Sequence, residues 1–523
     1  TCASGYDLPD INCPDCGTPM NHDGQNIPFE TFLGFNADKT PDIDLNFPSD
    51  YQATAHEYTK VLVGEHNVFR AGTIETVKDK TAFGFARGYI ERLGIDPNTY
   101  PKAKIEYLAS GCVDVRRTTG QHPGGIVVVP NDHKIYDFTP IQYPADDNTE
   151  SWKTTHFEFE SIHDTLLKLD MLGHDDPIAL KMMCDLTGIP LHSIPLNDKK
   201  VLSLFSTSKA LELQRDYLGN KTGAMGLPEF GTENTRRILE TTIPKTFTDL
   251  VIISGLSHGT GVWAGNAEDL IKNGKTLSDV IGCRDDIMTY LMSKDIESST
   301  AFNIMETVRK KDKYLNETQI DVMKAHGVPQ FYIDSCNKIE YMFPKGHACA
   351  YCIMAVRVGY FKVYHPLEFY ATFFTVRSEQ FEIATMVAGE AAIIKRLDEL
   401  KLKSRGKEKL STKEDGIQKT LQIALEMYQR GIKFSNIDLY RSDSSKFVVD
   451  HENNAIIPPF RALDGLGENN AISVIEERKK GKFTSIDNLL TRTKLSSTNV
   501  GDLKSLHVLD DLPEDDQISL FDF

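Results

Sequence analysis

Alternating apolar and polar positions predict short strands in the first third of the chain. In the segment PDIDLNF, Asp42 and Asp44 alternate with apolar neighbours, and this two-residue period places both carboxylates on one face of a strand. In LLKLDML, Lys168 and Asp170 share one face while leucines occupy the other. A continuous apolar run, IVVVP from residue 126, predicts a buried strand that follows the turn-rich segment TGQHPGG.

The remaining pattern predicts mostly helices. Residues 51–95 have helical spacing of apolar positions, and residues 180–400 form a long helical stretch interrupted by Gly and Pro. A polar, Lys-rich segment at 402–416 interrupts that pattern and predicts a linker or an exposed loop. A smaller α-rich unit follows at 418–510, and the acidic end of the chain, 509–523, is predicted to be extended or disordered.

Composition narrows the class of protein. A chain of 523 residues predicts three or four domains, and 40% hydrophobic with 25% charged residues is typical of folded globular protein. The formal net charge of −17 excludes a uniformly basic surface, so any contact with DNA requires local basic patches. Nine cysteines, without a signal peptide or a membrane-spanning run, predict a reduced cytoplasmic protein without a membrane partner.

Three carboxylates make a candidate metal site. Asp42 and Asp44 project side by side from one strand, and Asp170 on a second strand can complete a site for two divalent cations. Hard oxygen ligands favour Mg²⁺, and Mg²⁺ at such a site suggests phosphoryl transfer. The alternative is that the Asp-x-Asp pair is only a solvated strand face.

Several long segments closely resemble one protein family, the PolC-type DNA polymerase III alpha subunit, a bacterial replicative polymerase of the C family. The resemblance runs in order along nearly the whole chain. It is carried by the segments PFETFLGFNADKTPDIDLNF, RAGTIETVKDKTAFGFARGY, RRTTGQHPGGIVVVP, LLKLDMLGHDDP, SGLSHGTGVWAGNAEDLI and YMFPKGHACAYCIMAVRVGYFKVYHPLEFYA.

The resemblance implies an α+β multidomain fold: a polymerase palm with a mixed β-sheet, a helical thumb and fingers, and a C-terminal helix-hairpin-helix domain. The boundaries expected on this basis are a first part of the palm with a zinc knuckle at 1–50, the thumb at 51–112, the second part of the palm at 113–185, the fingers at 186–400, a duplex- and clamp-binding domain at 401–510 and a clamp-binding tail at 511–523.

The family's metal-binding aspartates match Asp42, Asp44 and Asp170, and the resemblance implies two Mg²⁺ ions there. Lys168 lies two residues before Asp170 and is placed to neutralise a triphosphate, unless it is an ordinary lysine on a strand. In YMFPKGHACAY, which resembles the fingers motif facing the nucleotide, the matching residues are Tyr341, Lys345 and His347. The alternative is that Phe343 and Tyr351 are core aromatics and His347 is an internal histidine with its hydrogen bonds satisfied.

Basic runs supply further phosphate-binding candidates. The run VRKKDK contains Arg309 and Lys310, for which a solvated helix face is an equal alternative. Arg116 and Arg117 precede TGQHPGG and are candidates for contacts with the primer or template backbone.

Near the end of the chain, ALDGLGENNAISVIEERKKGKF fits a helix-hairpin-helix. Gly465 and Gly467 would let backbone amides approach a DNA phosphate, and Lys479 adds positive charge nearby. Such contacts are independent of base sequence and weaken with salt. The alternative is an ordinary helix turn.

The CPDCG segment has metal-like spacing at Cys13 and Cys16. By resemblance, these residues are half of a four-cysteine structural Zn²⁺ site whose first pair lies upstream. Cys2 or His22 are other possible ligands, although neither spacing is typical, and reduced, unligated cysteines are the alternative.

The final residues resemble the family's sliding-clamp-binding peptide. Gln517, Ser519, Leu520 and Phe521 follow an acidic stretch, and short extended segments with apolar anchors suit a hydrophobic groove on a partner. The alternative is a tail that docks on its own domain.

The resemblance implies a DNA-directed DNA polymerase of bacterial chromosome replication, whose partners are primed template DNA, dNTPs, the sliding clamp (beta subunit) and other replisome subunits. The family's Gly- and Ser-rich palm segment, phosphoesterase-like (PHP) domain and proofreading exonuclease do not match these residues, so a fragment with weak or no activity is expected. The alternatives are a DNA- and sliding-clamp-binding fragment without catalysis, and some other two-metal transferase or phosphatase.

Overall fold

The computed structural model describes residues 5–20, 24–37, 39–41, 43–143, 147–309, 314–378, 380–406 and 409–516. Contacts within the chain divide it into two compact units. We refer to Phe29–Pro177 as the sheet unit, and to Thr1–Pro28 together with Ile178–Phe523 as the helical unit.

The sheet unit contains a six-stranded mixed sheet in the order β1-β6-β3-β2-β5-β4. Strand β1 is parallel to β6, and β2 is parallel to β5, whereas the other neighbours are antiparallel. The strands are β1 (Ile43–Pro48), β2 (Val68–Thr76), β3 (Arg116–Val128), β4 (Ile141–Gln142), β5 (Thr154–Glu158) and β6 (Leu167–His174). The helices are α1 (Glu30–Leu33), α2 (Gln52–Val63), α3 (Asp79–Arg92) and α4 (Lys102–Ser110).

Residue alternation along the strands gives the sheet two apolar faces. Ile126 and Met171 pack with Ala55 of α2 on one face. Phe69 and Val127 pack with a loop-rich layer on the other. The strands predicted around Asp44, Asp170 and IVVVP are therefore confirmed, as is the mixed sheet.

The prediction of helix throughout 51–95 was wrong at residues 68–76, which form the central strand β2. Its sequence, VFRAGTIET, combines β-branched and aromatic residues with apolar side chains that alternate between the two faces. The range 51–112, expected to be a helical thumb, thus contains one strand of the sheet. Within that range α3 and α4 pack on each other through a small core that includes Ala82 and Ile105.

The expected turn at TGQHPGG lies inside strand β3. The residue pairs Arg70↔Ile126 and Gly72↔Gln121 leave one residue of β2 opposite four residues of β3. Residues 122–125 therefore form a wide bulge, which we call the 122–125 bulge. Bulges of this kind re-aim side chains and are common next to active sites.

The helical unit is built around a large apolar core, and 12 of the 20 residues of its long helix Lys345–Tyr364 are buried. Its helices are α5 (Asp175–Thr187), which connects from the sheet unit, α6 (Lys199–Leu202), α7 (Glu233–Thr242), α8 (Phe247–His258), α9 (Glu268–Lys272), α10 (Arg284–Met292), α11 (Ser298–Val308), α12 (Glu317–Ala325), α13 (Gln330–Lys338), α14 (Lys345–Tyr364), α15 (Pro366–Val376), α16 (Ile383–Val387), α17 (Glu390–Arg405), α18 (Thr412–Gln429), α19 (Glu468–Arg478), α20 (Ile486–Arg492) and α21 (Ser497–Ser505). A small sheet of β7 (Lys433–Phe434), β9 (Ala455–Ile457) and β8 (Val448–Asp450) joins them.

The N-terminal segment packs in the helical unit, which differs from the expected grouping of residues 1–50 with the palm. The Asp7 carboxylate accepts hydrogen bonds from the N–H groups of Phe247 and Thr248, both at 2.7 Å, at the start of α8. The Tyr6 and Phe247 rings also contact each other edge to face, with centroids 5.0 Å apart.

The linker predicted at 402–416 is a short connection between α17 and α18, since α17 continues to Arg405 and Ser411 caps α18. Helix α18 contributes Leu421 and Leu425 to the large core. A second apolar core includes Ile383 of α16 together with Ile437, Val474 and Leu503. Across the described ranges, none of the helices is long and apolar enough to cross a bilayer.

Candidate functional site

Two of the three predicted metal-binding aspartates are neighbours across the sheet. Asp44 on edge strand β1 is the register partner of Asp170 on β6. Cα atoms of adjacent strands lie about 4.8 Å apart, and paired residues project from the same face. Asp42, the third predicted ligand, lies outside the described residues.

Asp170 is held between a lysine and a histidine. Lys168 Nζ lies 2.9 Å from Asp170 Oδ2 and 4.6 Å from the centroid of the Phe159 ring. Asp170 Oδ1 is buried and has no hydrogen-bond partner among the described residues, although His122 Nδ1 lies 3.6 Å away. The prediction that Lys168 and Asp170 share a strand face is confirmed.

His122 does not donate a proton to Asp170. Its Nδ1 accepts the N–H groups of Gly124 at 3.2 Å and Gly125 at 2.7 Å, so the proton of the neutral ring is on Nε2. Burial lowers the pKa of His122, and the positive charges of Lys168 and Arg70 add to this effect against the opposing charge of Asp170. His122 Nδ1 and Asp170 Oδ1 therefore lie 3.6 Å apart without a proton between them.

The carboxylates of Asp44 and Asp170 supply part of the oxygen ligands that a Mg²⁺ site requires. A buried carboxylate oxygen without a donor, next to a second carboxylate on the adjacent strand, is the kind of oxygen pair that Mg²⁺ binds. Within the described ranges, no three His, Cys, Asp or Glu side chains cluster closely enough to hold a metal ion. Asp42, which the sequence assigns as the third ligand, is not among those residues.

The buried network that fixes the 122–125 bulge was not predicted from the sequence. Arg70 Nη2 donates to the carbonyls of His122 at 2.8 Å and Pro123 at 2.9 Å, and Nη1 contacts the ring of His56. Gln52 Nε2 donates to the Met171 carbonyl at 2.6 Å, directly after Asp170. Burial lowers the pKa of Arg70. The one related signal in the sequence was an Arg within the apolar first part of the strand, VFRA.

The bulge also requires glycine where it approaches β6 and β2. A Cβ on Gly124 would lie 2.8 Å from the Met171 carbonyl oxygen, and one on Gly125 would lie 2.9 Å from the Cβ of Ala71. The backbone therefore sits against the strand that carries Asp170 more closely than any other residue type would allow.

We expect Arg70→Met to lower the free energy of unfolding of the sheet unit. The change removes the donor to the His122 carbonyl and leaves the Pro123 carbonyl with only the 3.3 Å hydrogen bond from Gln52. An unsatisfied buried polar group costs about 1–3 kcal/mol. The measurement is urea unfolding followed by Trp152 fluorescence in a Trp263→Phe background.

Arg87→Met is the matched control, because Arg87 belongs to the same unit, has a side chain that is 44% exposed, and donates to Asn98 Oδ1. Surface changes of this kind shift stability by about 0.5 kcal/mol or less. Equal effects of the two substitutions would contradict a structural role for Arg70.

The other predicted cations of the sheet unit are at its surface. Arg116 and Arg117 begin β3, and both are exposed. Their exposure leaves them accessible to a phosphate backbone, and the predicted contact with DNA stays a prediction.

In the helical unit, the predicted nucleotide-facing residues Tyr341 and His347 belong to a column of rings. Ring centroids are 5.5 Å apart for Tyr341 and Phe343, 4.8 Å for Phe343 and His347, and 4.4 Å for His347 and Tyr351. We call these four residues the ring column. Tyr341 is its exposed end, and Tyr351 is buried in the core.

Lys345 and Arg309 have carboxylate partners in their own unit. Lys345 Nζ lies 3.0 Å from Asp286 Oδ1, and its backbone N–H donates to Asp285 Oδ2 at 2.7 Å. Arg309 makes a bidentate contact with Glu306: Nε donates to Oε1 at 2.6 Å and Nη2 donates to Oε2 at 2.7 Å. A phosphate group would have to compete with these carboxylates for either cation. Lys310 lies outside the described residues.

The predicted hairpin leaves both of its glycines accessible. Gly465 has φ of +77°, Gly467 precedes α19, and nothing lies within 4 Å of a Cβ built on either residue. Lys479 follows the helix and is exposed. The preceding Arg478 has a structural role, since it donates to the carbonyls of Leu439 and Ser442.

The two described cysteines of the predicted zinc knuckle form a tight turn. Gly17 N–H donates to the Cys13 carbonyl at 2.9 Å, and Cys16 Sγ lies 3.3 Å from Thr18 Oγ1. These contacts with Thr18 lower the pKa of the Cys16 thiol. Cys2 and His22 lie outside the described residues, as do the predicted clamp-binding residues Gln517, Ser519, Leu520 and Phe521.

Comparisons with known families cover most of the chain. The family described as "Bacterial DNA polymerase III alpha NTPase domain" matches residues 18–96 and 91–173. "Bacterial DNA polymerase III alpha subunit finger domain" matches residues 176–327. "Helix-hairpin-helix motif" matches residues 431–516, in agreement with the predicted helix-hairpin-helix domain.

Curated relatives match almost from end to end. The chain is 53% identical over 520 residues to a protein named DNA polymerase III PolC-type from Oceanobacillus iheyensis. It is 52% identical over 520 residues to the protein of that name from Bacillus subtilis, and 51% identical over 518 residues to that from Caldanaerobacter subterraneus subsp. tengcongensis. Each alignment covers 99% of this chain and 36% of the relative, so the chain spans about a third of the length of the relatives it matches.

Proposed function

Because the chain belongs to the PolC-type DNA polymerase III family, we propose that it is part of a DNA-directed DNA polymerase that extends primers during bacterial chromosome replication. The observation that carries the proposal is the pairing of Asp44 with Asp170 across adjacent parallel strands. The family match gives this pair of carboxylates its reaction class. The substrates would be a primed template and dNTPs, in the cytoplasm.

The sheet unit is the proposed palm. Asp44 and Asp170, with Asp42, would hold two Mg²⁺ ions, which supply Lewis-acid stabilisation of the phosphates and lower the pKa of a primer hydroxyl. Lys168 keeps Asp170 Oδ2 occupied at 2.9 Å, so Oδ1, which has no donor among the described residues, is the oxygen we propose as the metal ligand. The charge of Lys168 also reduces the repulsion between neighbouring carboxylates and developing phosphate charge.

The 122–125 bulge supports the geometry of Asp170 from the other side. Arg70 and Gln52 fix the backbone at Pro123 and Met171, on both sides of the carboxylate. A rigid carboxylate is needed because a small misplacement of a reacting group costs a large factor in rate. We therefore propose that Arg70 and Gln52 position Asp170 and take no part in the reaction itself.

The other parts of the molecule have proposed roles in holding substrates and partners. The paired helices α3 and α4 are the thumb, and the ring column belongs to the fingers, where Tyr341 and His347 would receive the incoming nucleotide, with Lys345 and Arg309 as cations near its phosphates. Arg116, Arg117, Gly465, Gly467 and Lys479 would contact the duplex backbone.

Three further features complete the proposal. The residues Gln517, Ser519, Leu520 and Phe521 would bind the sliding clamp (beta subunit). Cys13 and Cys16 would form half of a structural Zn²⁺ site. Other replisome subunits are proposed partners of the longer polymerase.

The experiment is primer extension by this chain on a primed template with MgCl₂ and dNTPs. Because the chain is expected to have weak activity at most, the expected result is a low level of incorporation that stops when EDTA removes the metal. The helix-hairpin-helix match favours a second candidate, a fragment that binds duplex DNA and the clamp without catalysis. Salt-sensitive duplex binding without any incorporation would favour that second function.

A further inference from the structure

A histidine to which the proposed function assigns no role packs against the ring column. His258, the last residue of α8, makes T-shaped contacts with Phe343 and His347, with ring centroids 5.2 and 6.1 Å apart. His347 is itself a proposed nucleotide-facing residue, and Phe343 packs between Tyr341 and His347. The orientation of His258 therefore constrains the middle of the ring column.

Hydrogen bonds at both ring nitrogens fix the protonation state of His258. Its Nε2 lies 2.6 Å from Glu229 Oε2, and its Nδ1 lies 2.7 Å from the Ser254 carbonyl oxygen. A carboxylate and a carbonyl can only accept, so both nitrogens must donate, and the ring is an imidazolium. Both donors are thus occupied, which leaves His258 no free N–H for a phosphate.

Glu229 reaches His258 from a strained backbone position. Its φ of +60° is in the left-handed region, which is unfavourable for a residue with a Cβ. It lies in the turn GLPEFG, next to the buried Phe230. Strain at a residue that carries a charge into a cluster of rings points to a functional requirement for that charge.

Groups from several elements face this pair. The hydrogen bond from His258 lowers the pKa of Glu229, whereas burial opposes this effect. The positive charges of His258, of His347 in α14 and of Arg377 after α15 lower it further. Cys352 of α14 also faces Glu229, and burial raises its pKa well above the ordinary value, so this thiol stays neutral. The hydrogen bond to Glu229 raises the pKa of His258.

We propose that Glu229 and His258 are positioning residues that hold Phe343 and His347 in the orientation that receives the triphosphate end of a dNTP. The inference rests on the proposed function and deepens it. With both ring nitrogens tied, His258 cannot rotate, and its ring edge sets the tilt of the two rings it touches. Breaking the pair frees His258 and loosens the ring column.

The raised pKa of His258 and the lowered pKa of Glu229 determine how the ion pair depends on pH. Because the pKa of His258 is raised in the folded chain, the pair is complete below the ordinary histidine range and is lost as pH rises through the raised value. Because the pKa of Glu229 is lowered, its carboxylate stays charged at neutral and alkaline pH. We therefore expect the KM for dNTP to rise on the alkaline side, with a smaller change in kcat.

The test compares Glu229→Gln with Glu229→Asp and with a matched control, Glu240→Gln, whose carboxylate pairs with Lys221 elsewhere in the unit. First, the pKa of His258 is measured by NMR on histidine-labelled protein, with His258→Gln to assign the resonance. We expect Glu229→Gln to lower the pKa of His258 by about one unit or more, as loss of an adjacent opposite charge does. Glu229→Asp should restore part of the shift, and the control should leave it unchanged.

Second, dGTP with MgCl₂ is titrated while the His347 resonance is followed, and KM and kcat are measured by primer extension from pH 6 to 9. At pH 8, we expect Glu229→Gln to weaken dGTP binding and raise KM by about tenfold, since at a pH above both pKa values a fall of one pKa unit lowers the protonated fraction of His258 about tenfold. The alkaline rise in KM should move to lower pH.

The outcomes distinguish the positioning role of Glu229 and His258 from the proposed polymerase function. An unchanged His258 pKa, or equal dGTP affinity in the chain with and without Glu229→Gln, overturns the positioning role. Binding of dGTP that depends on Glu229 without any primer extension supports the positioning role and counts against the proposed polymerase function. Absence of both binding and extension overturns both.

Discussion

Asp170→Asn should remove primer extension while the chain remains folded. The substitution keeps the size of the side chain but removes the charge that the proposed Mg²⁺ site requires at the register partner of Asp44. Loss of one group that stabilises transition-state charge costs about 10²- to 10³-fold in kcat, and removal of a ligand shared by two metal ions should cost at least that much. The measurement is extension of a labelled primer under single-turnover conditions.

The stability of the variant is expected to change little. Asp170→Asn breaks the ion pair with Lys168, but it also removes a charged oxygen that is buried without a donor. Far-ultraviolet circular dichroism and urea unfolding will show whether the fold is intact. Asp44→Ala, at the exposed partner position, should give the same loss of extension for the same reason.

Asp164→Asn is the matched control, because Asp164 is an exposed carboxylate of the same unit that lies next to His163. Extension by that variant should equal extension by the unmodified chain. If incorporation survives either Asp170→Asn or Asp44→Ala, the assignment of metal binding to this pair is wrong.

Glu426→Gln should lower the free energy of unfolding of the helical unit by about 3–5 kcal/mol, the usual result of removing one partner of a buried ion pair. Lys362 Nζ lies 2.7 Å from Glu426 Oε1, and both side chains are almost completely buried. The ammonium also donates to the carbonyls of Gly223 at 2.8 Å and Met225 at 2.6 Å. Tyr370 donates to the same carboxylate oxygen at 2.7 Å.

The cost arises because a buried charge is left without its counter-charge. Burial already lowers the pKa of Lys362 to about 8, although Glu426 opposes the shift. Without that carboxylate the pKa should fall further, and the lysine can then become neutral in the folded chain. The destabilisation should therefore shrink as pH rises, because the unfolded chain then binds more protons than the folded one.

The measurement is urea unfolding followed by Trp263 fluorescence in a Trp152→Phe background, at several pH values. The double variant Lys362→Met with Glu426→Leu removes both charges and should recover most of the loss. Glu268→Gln, in a surface pair with Lys272, is the control and should cost about 0.5 kcal/mol or less. A loss for Glu426→Gln that matches this control would contradict the importance of the buried charge.

Local patterns predicted the carboxylate strands well because alternation is a property of a few consecutive residues. The side-chain faces of Lys168, Asp170 and Asp44 follow directly from it. Strand β2 was missed, since an Arg and a Gly interrupt its apolar pattern and a short aromatic run suits either kind of element. The turn at TGQHPGG became a bulge because neighbouring strands hold the backbone on both sides of it.

The partners of charged residues could not be predicted from local sequence. Lys345 was expected to face a nucleotide, but its ammonium pairs with Asp286, 59 residues earlier. Arg70 depends on carbonyls 52 and 53 residues away, which only the register of β2 and β3 brings together. The environment of such a side chain is set by tertiary packing, and spacing along the chain carries no information about it.

The capping of α8 by Asp7 bears on the order in which the two units fold during synthesis. The carboxylate and the amide it accepts from Phe247 are 240 residues apart, and the whole sheet unit lies between them in the chain. At bacterial translation rates this interval lasts about 12 to 48 s. A nascent chain can therefore complete its sheet before the N-terminal segment has a helix to cap, which makes the sheet unit the first part expected to fold on the ribosome.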